Sequence, residues 1–216
     1  MFIVGIRFVN ILSNTLSSKG ACMQEIVPRW EWRTFTNDLK KAEENIRKHT
    51  EGKSRESAEV YILSEVSMDN TKVRDNLMDI KTLQQVNEDR LELWLPIMKG
   101  TFPLPVAEIE KVFKCFRVSM PKLSRDQYTF EQYLDEVIRP SKLLKAVNVL
   151  KKRTGFTINN CIVEIADVKV DDKWIKTAAV EMEDPSMVIK TVRELELDTF
   201  PNINYLRGLK NLVGMK

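Results

Sequence analysis

From Pro28 to Phe35 the chain alternates with a period of two. Trp30, Trp32 and Thr34 fall on one face, and Arg29, Glu31, Arg33 and Phe35 on the other, which predicts a strand. Thr36 or Asn37 then caps a helix running to about Lys48, with Leu39, Ala42 and Ile46 as its apolar stripe. Glu51 to Ser57 reads as a charged turn, Glu59 to Ser67 as a strand, and Met68-Asp69-Asn70 as the turn that ends it. Thr71 to Asp75 and Leu77 to Leu83 are two further strands. Glu92 to Lys99 reads as a short helical piece that Pro103 and Pro105 keep from continuing. Val106 to Phe113 has helical spacing, Phe116 to Met120 looks extended, and Phe130 to Ile138 is a second short helix closed by Pro140.

Beyond Leu143 the pattern turns to strands. Val147 to Ile158, Cys161 to Val170 and Trp174 to Glu183 are consecutive runs with tight turns at Asn159-Asn160 and Asp171-Asp172. Helices over Ser186 to Leu197 and Asn202 to Leu212 close the chain. The elements predict an α+β fold with an antiparallel meander.

Charge falls on these strands in an unusual way. Glu31 shares a face with Arg33, Lys72 with Arg74, Asp79 with Lys81, and Lys151 with Arg153, while Lys152 points the other way. Glu164 sits in mid-strand among Ile162, Val163 and Ile165. Glu181 and Glu183 project from one face of the last strand, where two carboxylates repel unless a cation lies between them. Each pair alone fits the solvent side of a half-buried sheet. Their recurrence on strand after strand fits a closed barrel with a polar interior, basic side chains for an anion and acidic ones for a metal. Barrels of about eight strands are wide enough to hold a small ligand.

Composition narrows the classes. The 216 residues, 43% hydrophobic and 30% charged, suit a globular protein with a sizeable core. A net charge of +3 from 34 basic and 31 acidic residues gives no global nucleic-acid footprint, so any basic patch is local. Cys22, Cys115 and Cys161 lack metal-site or disulfide spacing, which points to a reducing, cytoplasmic setting. Seven glycines leave no phosphate loop or dinucleotide fingerprint. The stretch Met1 to Ala21 is too short and too interrupted for a membrane span; the small residues from Ser18 to Cys22 would suit a secretory signal, but the apolar run before them is weak and no basic region precedes it. Residues 1–24 are expected instead to be a poorly ordered extension, or upstream sequence carried in by the choice of start codon, leaving residues 25–216 as one domain.

Several runs resemble, in order, the CYTH family of triphosphate tunnel metalloenzymes. Arg29-Trp30-Glu31-Trp32-Arg33 is similar to the family's Glu-x-Glu-x-Lys strand, with Arg29 in place of the first Glu and Arg33 in place of Lys. Lys72-Val73-Arg74 and Asp79-Ile80-Lys81 resemble its basic strands, Lys151-Lys152-Arg153 a later one, and Glu181-Met182-Glu183 the Glu-x-Glu of the last strand. Asn202 to Leu209 resembles the closing helix.

The resemblance implies a β-barrel tunnel with flanking helices and metal-dependent hydrolysis of an inorganic or organic triphosphate. Its alternatives are a catalytically weak polyphosphate- or nucleotide-binding module and, further off, an adenylate cyclase-type activity. It implies Mg²⁺ or Mn²⁺ on Glu31, Glu181 and Glu183. Phosphate would be bound by Arg33, Arg74, Lys81 and Arg153, with Arg29 and Lys72 beside them. Glu164 would orient a basic side chain or act as general base. The implied partner is a triphosphate-containing small molecule or polyphosphate, with no nucleic-acid duplex and no membrane, and a homodimer is compatible. A guanidinium at position 29 removes an oxygen ligand and adds positive charge, favouring anion over metal. His49, Trp30, Trp32, Trp94, Trp174 and Cys161 are read as exposed or packing residues.

Overall fold

The computed structural model describes residues 27–215; Cys22 and the expected N-terminal extension lie outside them. In chain order the elements are β1 (Arg29–Thr36), α1 (Lys40–His49), β2 (Lys53–Ser64), β3 (Asn70–Arg74), β4 (Leu77–Val86), β5 (Glu92–Thr101), β6 (Leu104–Pro105) and α2 (Val106–Phe116). There follow β7 (Gln127–Tyr128), α3 (Phe130–Gln132) continuing into a π-helical turn (Tyr133–Ile138), β8 (Leu144–Ile158), β9 (Cys161–Val170), β10 (Lys173–Met182), α4 (Pro185–Glu194), a 3₁₀ turn (Leu197–Thr199) and α5 (Tyr205–Val213).

Eight strands close an antiparallel barrel in the order β1-β10-β9-β8-β2-β3-β4-β5, with β5 returning to β1. Local turn chemistry sets much of this. Asp75-Asn76 and Asn159-Asn160 all adopt positive φ, the backbone of a two-residue hairpin whose twist matches its strands. Asp171 does the same between β9 and β10. Pairing along the wall is uneven. β2 runs beside β8 all the way from Lys53 to Ser64, whereas β2 meets β3 only at Val60↔Val73 and Tyr61↔Lys72. β1 meets β5 only at Arg29↔Trp94, Trp30↔Leu93 and Glu31↔Glu92.

Two apolar layers cover the outside. α1, with Leu39 just ahead of it, and α4 lay Leu39, Ala42, Ile46, Val188 and Val192 over Trp32, Phe156, Val163, Ile165 and Val180. Trp32 therefore packs outward, opposite Glu31 and Arg33, as the alternation of β1 requires. α2 and the π-helical turn cover Ile62, Val73, Met78 and Ile80 with Ile109, Val112, Phe113 and Tyr133. A third cluster is inside the barrel: Phe35, Tyr61, Leu63, Val147, Val149, Ala166 and Val168 receive Tyr205, Leu206 and Leu209 of α5. That helix is capped by Asn204, whose side chain accepts from the Arg207 backbone N–H, and it ends at Gly214 with φ 67°.

Three expectations are corrected. Glu51 to Ser57 is not simply a turn, because Lys53–Ser57 forms the first half of β2; the long β8 supplies backbone partners that its polar side chains gave no sign of. Glu92–Lys99 is not helical but lies in β5. Pro96 is tolerated there because it sits opposite Lys81, next to a register shift between Ile80 and Lys81, where a ladder hydrogen bond is dispensable. Phe116 ends α2 instead of starting an extended run, and Arg117 follows with φ 58° as the helix C-cap. Among the described residues no helix is long and apolar enough to cross a membrane.

Candidate functional site: a charged cavity in the barrel

Because strand side chains alternate, one face of each barrel strand must point inward. The inward set includes Glu31 and Arg33 from β1, Tyr61 from β2, and Asn70 and Lys72 from β3. Asp79 and Lys81 come from β4, Trp94 from β5, Lys151 and Arg153 from β8, Glu164 from β9 and Glu181 from β10. They line one cavity, with Tyr205 and Leu206 of α5 at its floor.

Glu164 is the hub of one side. Its carboxylate accepts from Lys151 Nζ at 2.6 Å, Arg153 Nη1 at 3.3 Å and Arg33 Nη1 at 3.4 Å. Burial opposes its ionisation, yet Lys151, Arg33 and Arg153 hold its pKa down to about 2. So acidic a carboxyl is a poor proton acceptor at neutral pH, and its contacts are those of a group that positions three cations. Arg33 also donates through Nε to Glu31 at 2.8 Å and through Nη1 to Thr177 at 3.3 Å. Against the penalty of burial, Arg33 and then Lys81 keep Glu31 below the usual carboxylate range.

Glu59 anchors the opposite side. It accepts from Arg74 at 3.2 Å and from the Tyr61 hydroxyl at 2.9 Å, and Lys72 lies 3.9 Å away. Lys72 is also 4.0 Å from Asp79. Burial lowers the pKa of Lys72 and of Lys151.

Glu31 and Glu181 face each other in the β1–β10 register. Burial, followed by the charge of Glu31, raises the pKa of Glu181. Its nearest cation is Arg29, whose Nη1 stands 3.9 Å away, beyond hydrogen-bonding distance. Among the described residues no three acidic, histidine or cysteine side chains converge as a ready-made metal site. The pair Glu31 and Glu181 nonetheless fits a single hard divalent ion, since Mg²⁺ is ordinarily held by one or two carboxylates with water and substrate phosphate completing its shell. Excess negative charge at Glu181 is what such an ion would neutralise.

The sequence-predicted residues are thus distributed unequally. Glu31, Arg33, Lys72, Lys81, Arg153, Glu164 and Glu181 line the cavity together. Arg74 lies on the same inward face of β3 but is engaged by Glu59, and Arg29 is at the rim, 47% exposed. Glu183 lies past the end of β10, exposed to solvent and outside the cavity lining. The sequence reading missed Lys151 as an inward residue, together with Glu59, Tyr61, Asn70, Trp94 and Tyr205. Parity with Arg153 was the available signal for Lys151, and helix capping by Asn204 the signal that Tyr205 opens a helix. Lys152 points outward to Glu56, and His49 is exposed at the end of α1.

No protein-family model matches the chain, and no curated protein matches it. Solved structures do. A putative adenylyl cyclase from Hippeastrum, HpAC1, described as revealing a dominant triphosphatase activity, aligns over 87% of this chain and 97% of its own with a TM-score of 0.50 at 9% identity. A putative adenylate cyclase from Bacillus halodurans aligns over 82% and 94% with a TM-score of 0.49 at 9% identity. A conserved hypothetical protein from Pyrococcus furiosus aligns over 82% and 98% with a TM-score of 0.48 at 14% identity. At such identity a likeness speaks for architecture alone, and with its closed eight-stranded barrel and flanking helices this chain has the CYTH-like tunnel fold.

Proposed function

We propose that the barrel binds the phosphate chain of an inorganic or organic triphosphate and hydrolyses it with Mg²⁺ or Mn²⁺. The observation that carries this reading is the convergence of Arg33, Lys72, Lys81, Lys151 and Arg153 on one enclosed cavity that also holds the Glu31–Glu181 pair. Stability alone is a weak reason for such an interior, because desolvating buried ion pairs offsets most of their attraction and an apolar filling would do as well. A polyanion gives the cations a second set of partners.

Each side chain then has a task. The five cations hold non-bridging oxygens and offset charge on the departing phosphate. Glu164 and Glu59 keep the basic side chains oriented before the ligand arrives, in the arrangement their hydrogen bonds already show. Glu31 and Glu181 would hold the divalent ion, which when bound polarises a phosphoryl oxygen. The enclosing wall limits competing water around the phosphates.

Arg29 favours a second reading, a tunnel that binds polyphosphate or nucleotide with little turnover, since its guanidinium stands 3.9 Å from the carboxylate that a metal would use. Phosphate release from inorganic triphosphate with Mg²⁺ or Mn²⁺, measured beside Glu181→Gln, decides between them. Metal-dependent release lost in the variant supports hydrolysis. Binding without release supports the second reading. Folded protein that neither binds nor hydrolyses triphosphate refutes both.

A further inference from the structure

The barrel wall has a gap at the end opposite α5, which packs on Leu63 near the far end of β2. β2 is paired with β8 from Lys53 to Ser64, but on its other side β3 reaches only Val60 and Tyr61. Among the described residues no strand or helix runs along that other side at residues 53–58. Alternate residues of the stretch therefore turn both N–H and C=O away from β8, over roughly 20 Å. Such an edge is a ready template for another strand. Neither proline nor glycine interrupts it, and all of it except Ser57 is exposed.

The two faces of this edge ask for different neighbours. Arg55 shares the inward parity of Tyr61 and stands opposite Arg153 in the β2–β8 register. Like charges so placed repel. Its ion-pair partner Asp75 is 3.5 Å away, with the two side chains 51% and 77% exposed, and such a pair holds little. On the outward face Ala58 borders a cleft of about 340 Å³, whose apolar wall is Val60, Val73, Phe130 and Leu150. A second copy of the chain is a poor occupant. Antiparallel pairing of two copies across a two-fold axis keeps inward residues opposite inward ones. The registers that use most of the stretch then set Arg55 against its own copy, or Glu56 against its own copy.

We propose that residues 53–58 dock an extended segment of a different protein as an added antiparallel strand. The segment carries an apolar side chain opposite Ala58, filling the cleft, and three residues later a carboxylate opposite Arg55. Backbone pairing supplies the affinity, and the cleft and the guanidinium supply the choice of partner. None of this depends on the triphosphate reading, whose failure would leave the docking edge standing.

The probe is a fluorescein-labelled octapeptide, Ser-Thr-Leu-Thr-Lys-Glu-Thr-Glu, titrated by fluorescence anisotropy into the full chain. In the proposed register its Leu meets Ala58, its Lys meets Glu56, and its two Glu meet Arg55 and Lys53. Saturable binding is expected. Arg55→Glu should weaken it about tenfold, and exchanging the peptide's Glu opposite that position for Lys should restore it. Replacing the peptide's Leu by Ser should also weaken binding about tenfold or more. N-methylation at one set of alternate peptide positions should abolish binding and at the other set spare it, because only one set donates to the edge. These peptide changes keep the test intact even if Arg55→Glu fails to fold. Absence of saturable binding by the parent, affinity unchanged in Arg55→Glu, or equal binding by both N-methylated sets overturns the docking edge. So does a dimer seen by sedimentation of the parent and lost in Arg55→Glu, which would give the edge to a second copy.

Discussion

Glu164→Gln is the perturbation whose consequence is best defined. The carboxylate bonds Lys151, Arg153 and Arg33 at 2.6, 3.3 and 3.4 Å, and these cations hold its pKa at about 2 against an ordinary 4.5. That difference corresponds to about 3 kcal/mol of stability at neutral pH, in keeping with the roughly 3–5 kcal/mol lost when one partner of a buried pair is removed. An amide keeps the volume and two polar atoms but leaves three cations facing one another. Urea unfolding of the unliganded protein at neutral pH should therefore show a loss of about 3 kcal/mol. The sign of the pH dependence follows from the depressed folded-state pKa. The parent's advantage is complete above the unfolded value and fades as pH falls toward the folded one, so by roughly pH 3 the gap should narrow by about 2 kcal/mol. Added inorganic triphosphate should restore part of the loss by replacing the missing negative charge. A gap below about 1 kcal/mol at neutral pH, or one that does not change with pH, would refute the view of Glu164 as the internal counter-ion.

Other perturbations read separate parts of the architecture. Gly208→Ala drives a methyl group into the buried Phe35 ring, 2.4 Å away, and should cost about 1–3 kcal/mol in thermal unfolding; an unchanged melting temperature would mean that α5 can shift. Asn204→Ala removes the cap on the Arg207 N–H and the 2.9 Å bond to Glu92, with an expected loss of about 1–2 kcal/mol in urea. Arg29→Glu exchanges the rim guanidinium near Glu181 for an oxygen ligand and should raise Mn²⁺ affinity about tenfold by electron paramagnetic resonance, as added ligand charge does at cation sites. Unchanged affinity there would argue against an ion between Glu31 and Glu181.

The barrel was legible where local chemistry and side-chain parity agree. Asn159-Asn160 marks a hairpin by its tolerance of positive φ, and the alternation of Trp32 with Glu31 and Arg33 separates an outer apolar face from an inner charged one. What stayed hidden depends on partners distant in sequence. Lys53–Ser57 has no apolar face of its own and is a strand only because β8 lies beside it. Glu92–Thr101 carries a proline and two register irregularities along β4, so no window of sequence shows its period. Trp94 reads as a packing residue and Tyr205 only as part of a closing helix, because their inward aim depends on barrel closure and on where α5 docks. Glu183 obeys the parity of β10 but falls just beyond its last paired residue, where alternation no longer determines direction.

The thin pairing of β2 with β3 and of β1 with β5 has a dynamic consequence. These two lines of sparse backbone bonding divide the wall into a small leaf, β3-β4-β5, and a large one, β2-β8-β9-β10-β1. Lys72, Asp79, Lys81 and Trp94 ride on the small leaf, while Arg33, Lys151, Arg153, Glu164 and Glu181 ride on the large one. A polyanion held by both would act as a rivet across the two seams. Amide hydrogen exchange at Val60, Val73, Trp30 and Leu93 should slow most on binding, because these amides flank the places where the leaves part first.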